Sequence, residues 1–252
     1  MSYVGSIPGT SFDRVAEIYD ATRGGARRGD PFADDLAPWI TGPRVVELGL
    51  GTGVIANGLR PHGIEVLGFD LSEAMLRRAV DRIGNRVAVA DVDELPIADD
   101  AVDTACFVWV LQLVPDPLAT LVEAARVVRP GGRVITILST GEYHPDDEIA
   151  PIVDGFSVLR PERLTRSQMV GAEIPGLSLH HDGDTEWDEF PSSVTDQIDG
   201  IEKRIYSSMF DVDESTWTSI VEPVLAELRS LPDPDGPRLR RNRHPLVVWD
   251  VS

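Results

Sequence analysis

Arg44-Val45-Val46-Glu47-Leu48-Gly49-Leu50-Gly51-Thr52-Gly53 leads into a helical stretch at 54–60, and a second apolar run, Ile64-Glu65-Val66-Leu67-Gly68-Phe69, then ends in Asp70. Two valines start a buried strand, Glu47 closes it, and three glycines alternating with single residues turn the chain tightly into the helix. Glycine belongs there because the backbone takes conformations closed to other residues and lets a ligand come within contact distance. An acidic residue at the end of the next strand can accept hydrogen bonds from both hydroxyls of a ribose. The stretch reads as a site for a nucleotide-bearing cofactor.

The chain downstream of Asp70 sharpens that reading. Val87-Ala88-Val89-Ala90-Asp91 is a third short strand ending in a carboxylate, and Asp91-Val92 is placed to meet an adenine edge, the side chain accepting from the exocyclic amine. Next come Leu95-Pro96-Ile97-Ala98-Asp99-Asp100-Ala101-Val102-Asp103, a strand at 104–110, a helix at 118–128, the turn Arg129-Pro130-Gly131-Gly132-Arg133 and a strand at 134–138. This order, over about residues 10–140, resembles the S-adenosylmethionine (SAM) dependent methyltransferases of the Rossmann-like class, in their small-molecule branch. Glu47 to Gly53 then stand as that family's E-x-G-x-G-x-G.

The resemblance implies an α/β fold with a seven-stranded, mostly parallel sheet in the order 3-2-1-4-5-7-6 and helices on both faces. It implies one domain over 1–252: an N-terminal helical cap at 1–40, a SAM-binding core at 41–140, and substrate-side elements at 141–252 with lid helices at about 192–231 and a last strand. Cofactor contacts are expected from Glu47, Gly49, Gly51, Gly53, Asp70, Leu71, Asp91 and Val92. Tyr19-Asp20-x-x-Arg23 resembles an N-terminal helix that closes over SAM in related enzymes, with Tyr19 in the site and Arg23 on the SAM carboxylate.

Two other readings compete. Gly51-x-Gly53-x-x-Ala56 fits a dinucleotide fingerprint, hence an NAD(P)-dependent oxidoreductase. There, glycine should follow the strand almost directly so that a helix N-terminus meets a pyrophosphate. Glu47 and Leu48 intervene, and a carboxylate sits poorly beside phosphates, whereas SAM carries a sulfonium and an ammonium. No second catalytic domain is evident for that reading either. The other rival is a SAM-binding regulatory protein that does not methylate.

Composition sets further bounds. The 252 residues carry 42 acidic against 23 basic side chains, a net charge of −19, and the only lysine is Lys203. Such an acidic surface repels phosphate backbones and argues against nucleic acid as the methyl acceptor. Arg238, Arg240, Arg241 and Arg243 form the one basic patch, expected as a solvated or dimer-facing turn; a homodimer is compatible with it. No apolar run approaches a membrane span, and Met1-Ser2-Tyr3-Val4-Gly5-Ser6 lacks a signal-peptide layout, so the cytoplasm is the default location. The single cysteine, Cys106, lies in an apolar strand and reads as a buried small residue.

For the acceptor side, the chain offers Trp109 and Gln112 after strand four, Tyr143 and the candidate base His144 after strand five, and Tyr206 from the late helices. A base is useful only if the acceptor loses a proton on methylation. His180 and His181 adjoin Asp182 and Asp184, but neighbouring strand residues point to opposite faces, so no metal site is expected. Coarsely, Thr10 or Ser11 caps a helix with Phe12, Val15, Ile18 and Tyr19 on its apolar face, and Asp30-Pro31 opens another to about Ile40. Residues 161–170 read as helix, 177–182 as strand, 192–209 and 214–231 as amphipathic helices, and 244–251 as the last strand. On the 192–209 helix, Arg204 and Tyr206 diverge by roughly 200°, and Tyr206 is the one assigned to the pocket.

Overall fold

The computed structural model describes residues 9–25, 28–139, 141–159 and 164–252. In chain order the strands are β1 (Val45–Leu48), β2 (Val66–Asp70), β3 (Val87–Val89), β4 (Val102–Val108), β5 (Val128–Ile137), β6 (Glu142–Tyr143), β7 (Leu177–Asp184), β8 (Asp188–Ser192), β9 (Arg238–Arg243) and β10 (Pro245–Val251). They fall into two compact units. The first comprises Met1–Gly141, Leu164–Glu186 and His244–Ser252; the second comprises Glu142–Arg163 and Trp187–Arg243.

The first unit is built on one sheet in the order β3-β2-β1-β4-β5-β10-β7. Neighbours from β3 to β5 run parallel, and β10 lies antiparallel between β5 and β7. Counting only these seven strands, the order is the expected 3-2-1-4-5-7-6. Strands β1 and β4 are buried along their whole length, as central parallel strands covered on both faces must be. Alternation divides their side chains: Val46, Leu48, Ala105 and Phe107 join one core, and Val45, Cys106 and Val108 the other. Cys106 is buried in the second core, its thiol donating to the Val46 carbonyl at 3.4 Å, and burial pushes its pKa up. The sheet order reverses between β1 and β4, where open α/β sheets take ligands at the carboxyl ends of their strands.

The helices Gly29–Leu36 and Val54–Leu59 touch through their glycines: a Cβ on Gly29 would come within 2.3 Å of the Val54 carbonyl oxygen. Helix Glu73–Ile83 starts on Ser72, whose hydroxyl accepts from the Met75 amide at 3.1 Å. Helix Pro117–Val127 starts on Asp116 in the same manner. The N-terminal stretch is not the single helix expected. It forms a 3₁₀ turn, Gly9–Arg14, and a short helix, Tyr19–Thr22; the Thr10 and Ser11 side chains lie outside the described part of the structure.

The second unit holds a sheet that the sequence did not reveal, in the order β6-β9-β8, all antiparallel. Its core gathers Ile149, Ile152, Phe156, Val194, Ile201, Met209, Val221, Leu225 and Leu228. The arginine cluster is therefore strand rather than turn. Each arginine meets an acid of the same unit: Arg238 with Glu148, Arg240 with Asp147, Arg241 with Glu189 and Arg243 with Glu142.

Two helix expectations are corrected. The helix read at 192–209 is α-helical only over Val194–Glu202. Arg204 turns left-handed at φ 50, the Arg204 amide donates to the Ile201 carbonyl at 2.9 Å, and the Ile205 amide reaches back to Gly200 at 3.1 Å. That is a Schellman stop, so Arg204 and Tyr206 lie beyond the helix and the angular argument does not apply to them. The helix read at 161–170 is seen over Arg166–Val170, and 160–163 lie outside the described residues. The late helix at 214–231 runs from Glu214–Thr216 through a π-helical segment, Trp217–Val221, into Glu222–Arg229.

Candidate functional site

In the first unit the parallel strands deliver their loops to one edge. After β1 the backbone folds back: the amides of Gly49 and Leu50 donate to the Phe69 carbonyl at 2.8 and 2.9 Å. Gly49, Gly51 and Gly53 all have positive φ, at 76, 57 and 74°. A Cβ on Gly49 would strike Val110 Cγ2 at 2.3 Å, whereas one on Gly51 would meet nothing within 4 Å. Gly49 is thus glycine for packing and conformation, and Gly51 presents bare backbone to open space, a cradle that a side chain would fill.

Asp70, at the end of β2, closes the loop from the side. Its Oδ2 accepts from the Gly51 amide at 2.7 Å and its Oδ1 from the Ser72 amide at 2.8 Å. Burial pushes its pKa up, the Ser72 and Gly51 amides pull it down, and the charge of Asp13 adds to the rise. Each carboxylate oxygen keeps lone-pair capacity for a further donor.

Glu47 is 2 % exposed and its Oε2 has no hydrogen-bond partner among the described residues. Burial pushes its pKa up to about 8, so at neutral pH the carboxyl holds its proton. A group in that condition is poised to ionise beside a cation.

The N-terminal segment is tied to this loop by side chains that the sequence did not single out. Thr52 Oγ1 donates to Asp20 Oδ1 at 2.6 Å, while Arg82 pairs with Asp20 Oδ2 at 2.5 Å and donates to the Thr52 carbonyl at 2.7 Å. Ser72 Oγ donates to Asp13 Oδ1 at 2.5 Å, and Arg78 to the Glu17 carbonyl at 2.7 Å. Tyr19 and Arg23 ride on that segment, the guanidinium 5.5 Å from the Tyr19 ring centroid. The only available signal was a pair of acids flanking an apolar helix face.

At the far side of the loop, Leu71 and Asp91 are exposed, while the Val92 side chain sits in the core. Asp91 Oδ1 accepts from the Asp93 amide at 3.0 Å. Asp70 thus ends β2, and Leu71, Asp91 and Val92 follow β2 and β3, at the edge where the glycine loop lies.

Trp109 leaves β4 with φ 56, a conformation few large side chains adopt. Its ring meets Phe32 edge-on at 4.8 Å and His244 at 5.4 Å, with the Arg28 guanidinium 4.1 Å above it. Trp109 Nε1 and Gln112 Oε1 are buried with no hydrogen-bond partner among the described residues, and Gln112 Nε2 donates to the Trp109 carbonyl. One donor and one acceptor therefore stand close in sequence at the end of β4.

His244 was legible only as the start of a strand. Because β10 runs antiparallel, its first residues arrive at the same edge as the ends of the parallel strands. His244 is 8 % exposed, and its Nδ1 lies 3.1 Å from the Leu138 carbonyl, which can only accept. The proton therefore sits on Nδ1, and Nε2 keeps its lone pair. Burial lowers the pKa to about 4, so the ring is neutral at ordinary pH.

The remaining expected residues belong to the second unit. His144 Nδ1 lies 3.3 Å from the Asp146 amide, and its ring meets Trp187 at 5.4 Å. Tyr143 packs on Arg240, and Tyr206 accepts from Gln197 Nε2 at 2.9 Å. Back in the first unit, His180 and His181 both touch Trp39, at 5.9 and 4.4 Å, because a bulge in the β7–β10 pairing removes the strict alternation expected of them. His180 pairs with Asp250 at 2.7 Å.

Comparison with known proteins gives the site its family. Residues 46–136 match the model of a methyltransferase domain. An uncharacterised 37.1 kDa protein of transposon TN4556 from Streptomyces fradiae is 39% identical over 150 residues, covering 55% of this chain and 42% of that protein. The demethylmenaquinone methyltransferase of Corynebacterium kroppenstedtii is 35% identical over 171 residues, covering 65% of this chain and 69% of the relative. The match to the transposon protein thus spans less than half of that relative's length. The crystal structure of the cyclase SpnF superposes with a TM-score of 0.62 at 15% identity, covering 98% of this chain and 97% of that one, which shows a shared fold. The matched methyltransferase domain, the demethylmenaquinone methyltransferase relative and the sheet order support neither the dinucleotide nor the regulatory reading, and the chain belongs to the SAM-dependent methyltransferases of the Rossmann-like class.

Proposed function

We propose that this protein transfers a methyl group from SAM to a small-molecule acceptor, with the cofactor held in the first unit. The observation that carries the reading is the pairing of an open glycine cradle at Gly51 with the buried, unpartnered Glu47 Oε2. Both fit a cofactor that has a cationic end and no phosphate. In this reading Asp70 takes the ribose hydroxyls, Asp91 and the Val92 backbone take the adenine edge, Leu71 covers the base, and Tyr19 and Arg23 close over the amino-acid end.

Bound there, SAM supplies an already activated methyl group, so the chain's task is to align the acceptor and exclude water. Trp109 Nε1 and Gln112 Oε1 are the donor and acceptor that orient a polar substrate group at the end of β4. His244, neutral with Nε2 as its basic nitrogen, can hold a proton there; His144 is the second candidate base, with Tyr143 and Tyr206 as further acceptor-side candidates. The acidic surface disfavours nucleic acid as acceptor. Among the described residues no helix is long and apolar enough to cross a membrane, and a cytoplasmic protein, alone or as a homodimer, accords with the composition.

Calorimetry with SAM, S-adenosylhomocysteine and NADH tests the cofactor, and an acceptor screen with methyl-labelled SAM tests the transfer. Binding of the two adenosyl compounds and not of NADH is expected. NADH binding in their place, or a folded protein that binds neither adenosyl compound, overturns the reading.

A further inference from the structure

The first unit carries an open cavity of about 310 Å³ at the end of its sheet away from the glycine loop. Val128 begins β5 and Val251 ends the antiparallel β10, so both stand at the amino edge of the parallel strands, and both line the cavity. The glycine loop follows the carboxyl end of β1, and the seven residues of β4 put about 20 Å between the two edges. Val122 and Ala125, from the last turns of the helix Pro117–Val127, complete an apolar floor. Val122 is 38 % exposed, so part of that floor meets water.

The polar side chains around that floor have no donor to spare. Arg126 lines the cavity, but each of its five N–H groups is spent. Nε donates to Glu123 Oε2 at 2.8 Å, Nη1 to the Ile97 carbonyl at 2.9 Å and Asp99 Oδ1 at 2.6 Å, and Nη2 to Glu123 Oε1 at 2.7 Å and the Leu95 carbonyl at 3.2 Å. The Ser252 hydroxyl donates to the Gly176 carbonyl at 3.5 Å or less. Acceptors, by contrast, are in excess. Asp99 keeps its second carboxylate oxygen, and the Asp100 carboxylate has neither a side-chain hydrogen bond nor an ion pair among the described residues. Asp100 is held in place by its backbone, at φ 56 with its amide on the Arg126 carbonyl at 3.0 Å.

This lining selects a ligand by charge and by hydrogen bonding. Glu123 already balances Arg126, so Asp99 and Asp100 leave the cavity with a net negative charge. An anion would be repelled there and would find no free side-chain donor. A quaternary ammonium is held by aromatic faces, and no aromatic ring lines this cavity. A primary ammonium instead gives charge-assisted hydrogen bonds to carboxylates, and the valine and alanine floor suits an apolar body beside it. We propose that this cavity binds a compact organic cation, a primary ammonium on an apolar body, at a site separate from that of the cofactor. The proposal does not rest on the methyl-transfer reading.

The test titrates the full, nitrogen-15-labelled chain with benzylammonium, benzyl alcohol and methylammonium, read by amide chemical shifts with and without saturating S-adenosylhomocysteine. Benzylammonium should move the Asp100 and Gly176 amides, leave those of Gly51 and Gly53 in place, and keep its affinity when S-adenosylhomocysteine is present. Benzyl alcohol, which lacks the charge, should bind at least threefold more weakly, and methylammonium, which lacks the ring, about tenfold more weakly. Asp100→Asn, a residue type that tolerates the left-handed backbone, should cost benzylammonium about threefold with an unchanged thermal melt. Val122→Lys puts the chain's own ammonium at the floor and should abolish binding. Shifts at Gly51 and Gly53 in place of Asp100 and Gly176, equal binding of benzyl alcohol, displacement by S-adenosylhomocysteine, or wild-type affinity in a folded Asp100→Asn overturns the site. Failure of the wild-type protein to bind S-adenosylhomocysteine, with the benzylammonium shifts intact, instead overturns the methyl-transfer reading and leaves the cation site standing.

Discussion

The carboxylate of Asp70 accepts the Gly51 amide hydrogen at 2.7 Å, so the residue proposed to take the ribose also fixes the conformation of the glycine loop. Its second oxygen does the same for the Ser72 amide at 2.8 Å, at the start of the next helix. Asp70→Ala should therefore weaken SAM binding by about 2–3 kcal/mol through loss of a charged acceptor. Asp70→Asn, which keeps one carbonyl oxygen, should fall between. Calorimetric titration decides it, and an unchanged affinity in Asp70→Ala would refute the assignment.

Gly51 offers a separate test of the same loop. At φ 57 any side chain is strained by about 1–2 kcal/mol, and nothing lies within 4 Å of where a Cβ would go. Gly51→Val is expected to stay folded, as judged by circular dichroism, and to lose SAM in equilibrium dialysis. A variant that retained SAM would reduce the glycine to a conformational role.

If Glu47 meets the cationic end of the cofactor as proposed, binding and protonation are coupled. With its pKa raised to about 8, the folded protein holds a proton that the unfolded chain gives up near the ordinary carboxyl value. Stability from this group is thus full at acid pH and declines as pH rises from about 4.5 to 8. Glu47→Gln, isosteric with the neutral form, should melt higher than wild type at pH 8. A cation placed against Glu47 lowers its pKa, so SAM binding at pH 7 should release up to one proton. Calorimetry in buffers of different ionisation enthalpy measures that proton; none released would separate Glu47 from the cofactor.

His244 acts in the opposite sense. Its pKa, lowered to about 4 by burial, means that the unfolded chain takes up a proton near pH 6.5 while the fold refuses it. Stability is full above the ordinary histidine value and is lost as pH falls from about 6.5 toward 4, by up to about 3 kcal/mol. His244→Gln should flatten the melting temperature over that interval. An equally steep acid limb in the variant would assign the loss to other groups.

Much of the first unit was legible because its signals are local. Val45-Val46, the glycine triplet and the strand end at Asp70 each state their own conformation through hydrophobic run, turn residue and spacing, whereas the strand expected to end at Asp91 stops at Val89. The helix stop at Arg204 was not legible, because a Schellman turn ordinarily announces itself with glycine and here an arginine takes the left-handed position. Strand β9 was hidden for a related reason. Arg238-Leu239-Arg240-Arg241-Asn242-Arg243 has no apolar alternation, and its burial depends on acids far away in the chain, such as Asp147 for Arg240. His244 and the ties from Asp13 and Asp20 are likewise tertiary facts, invisible to any window of sequence.

The junction of Arg82 with Asp20 and the Thr52 carbonyl also bears on how the protein can be handled. The two side chains of the ion pair are only 18% and 16% exposed, so removing the acid leaves a cation largely shielded from water, at a cost of about 3–5 kcal/mol. Trimming the first twenty or so residues to obtain a shorter expression product would therefore remove more than a surface appendage: it would release the strut behind Thr52 and slacken the cofactor loop from a distance. An affinity tag placed at that end asks the same question of the latch, and amide exchange at Gly51 and Gly53 would report the answer.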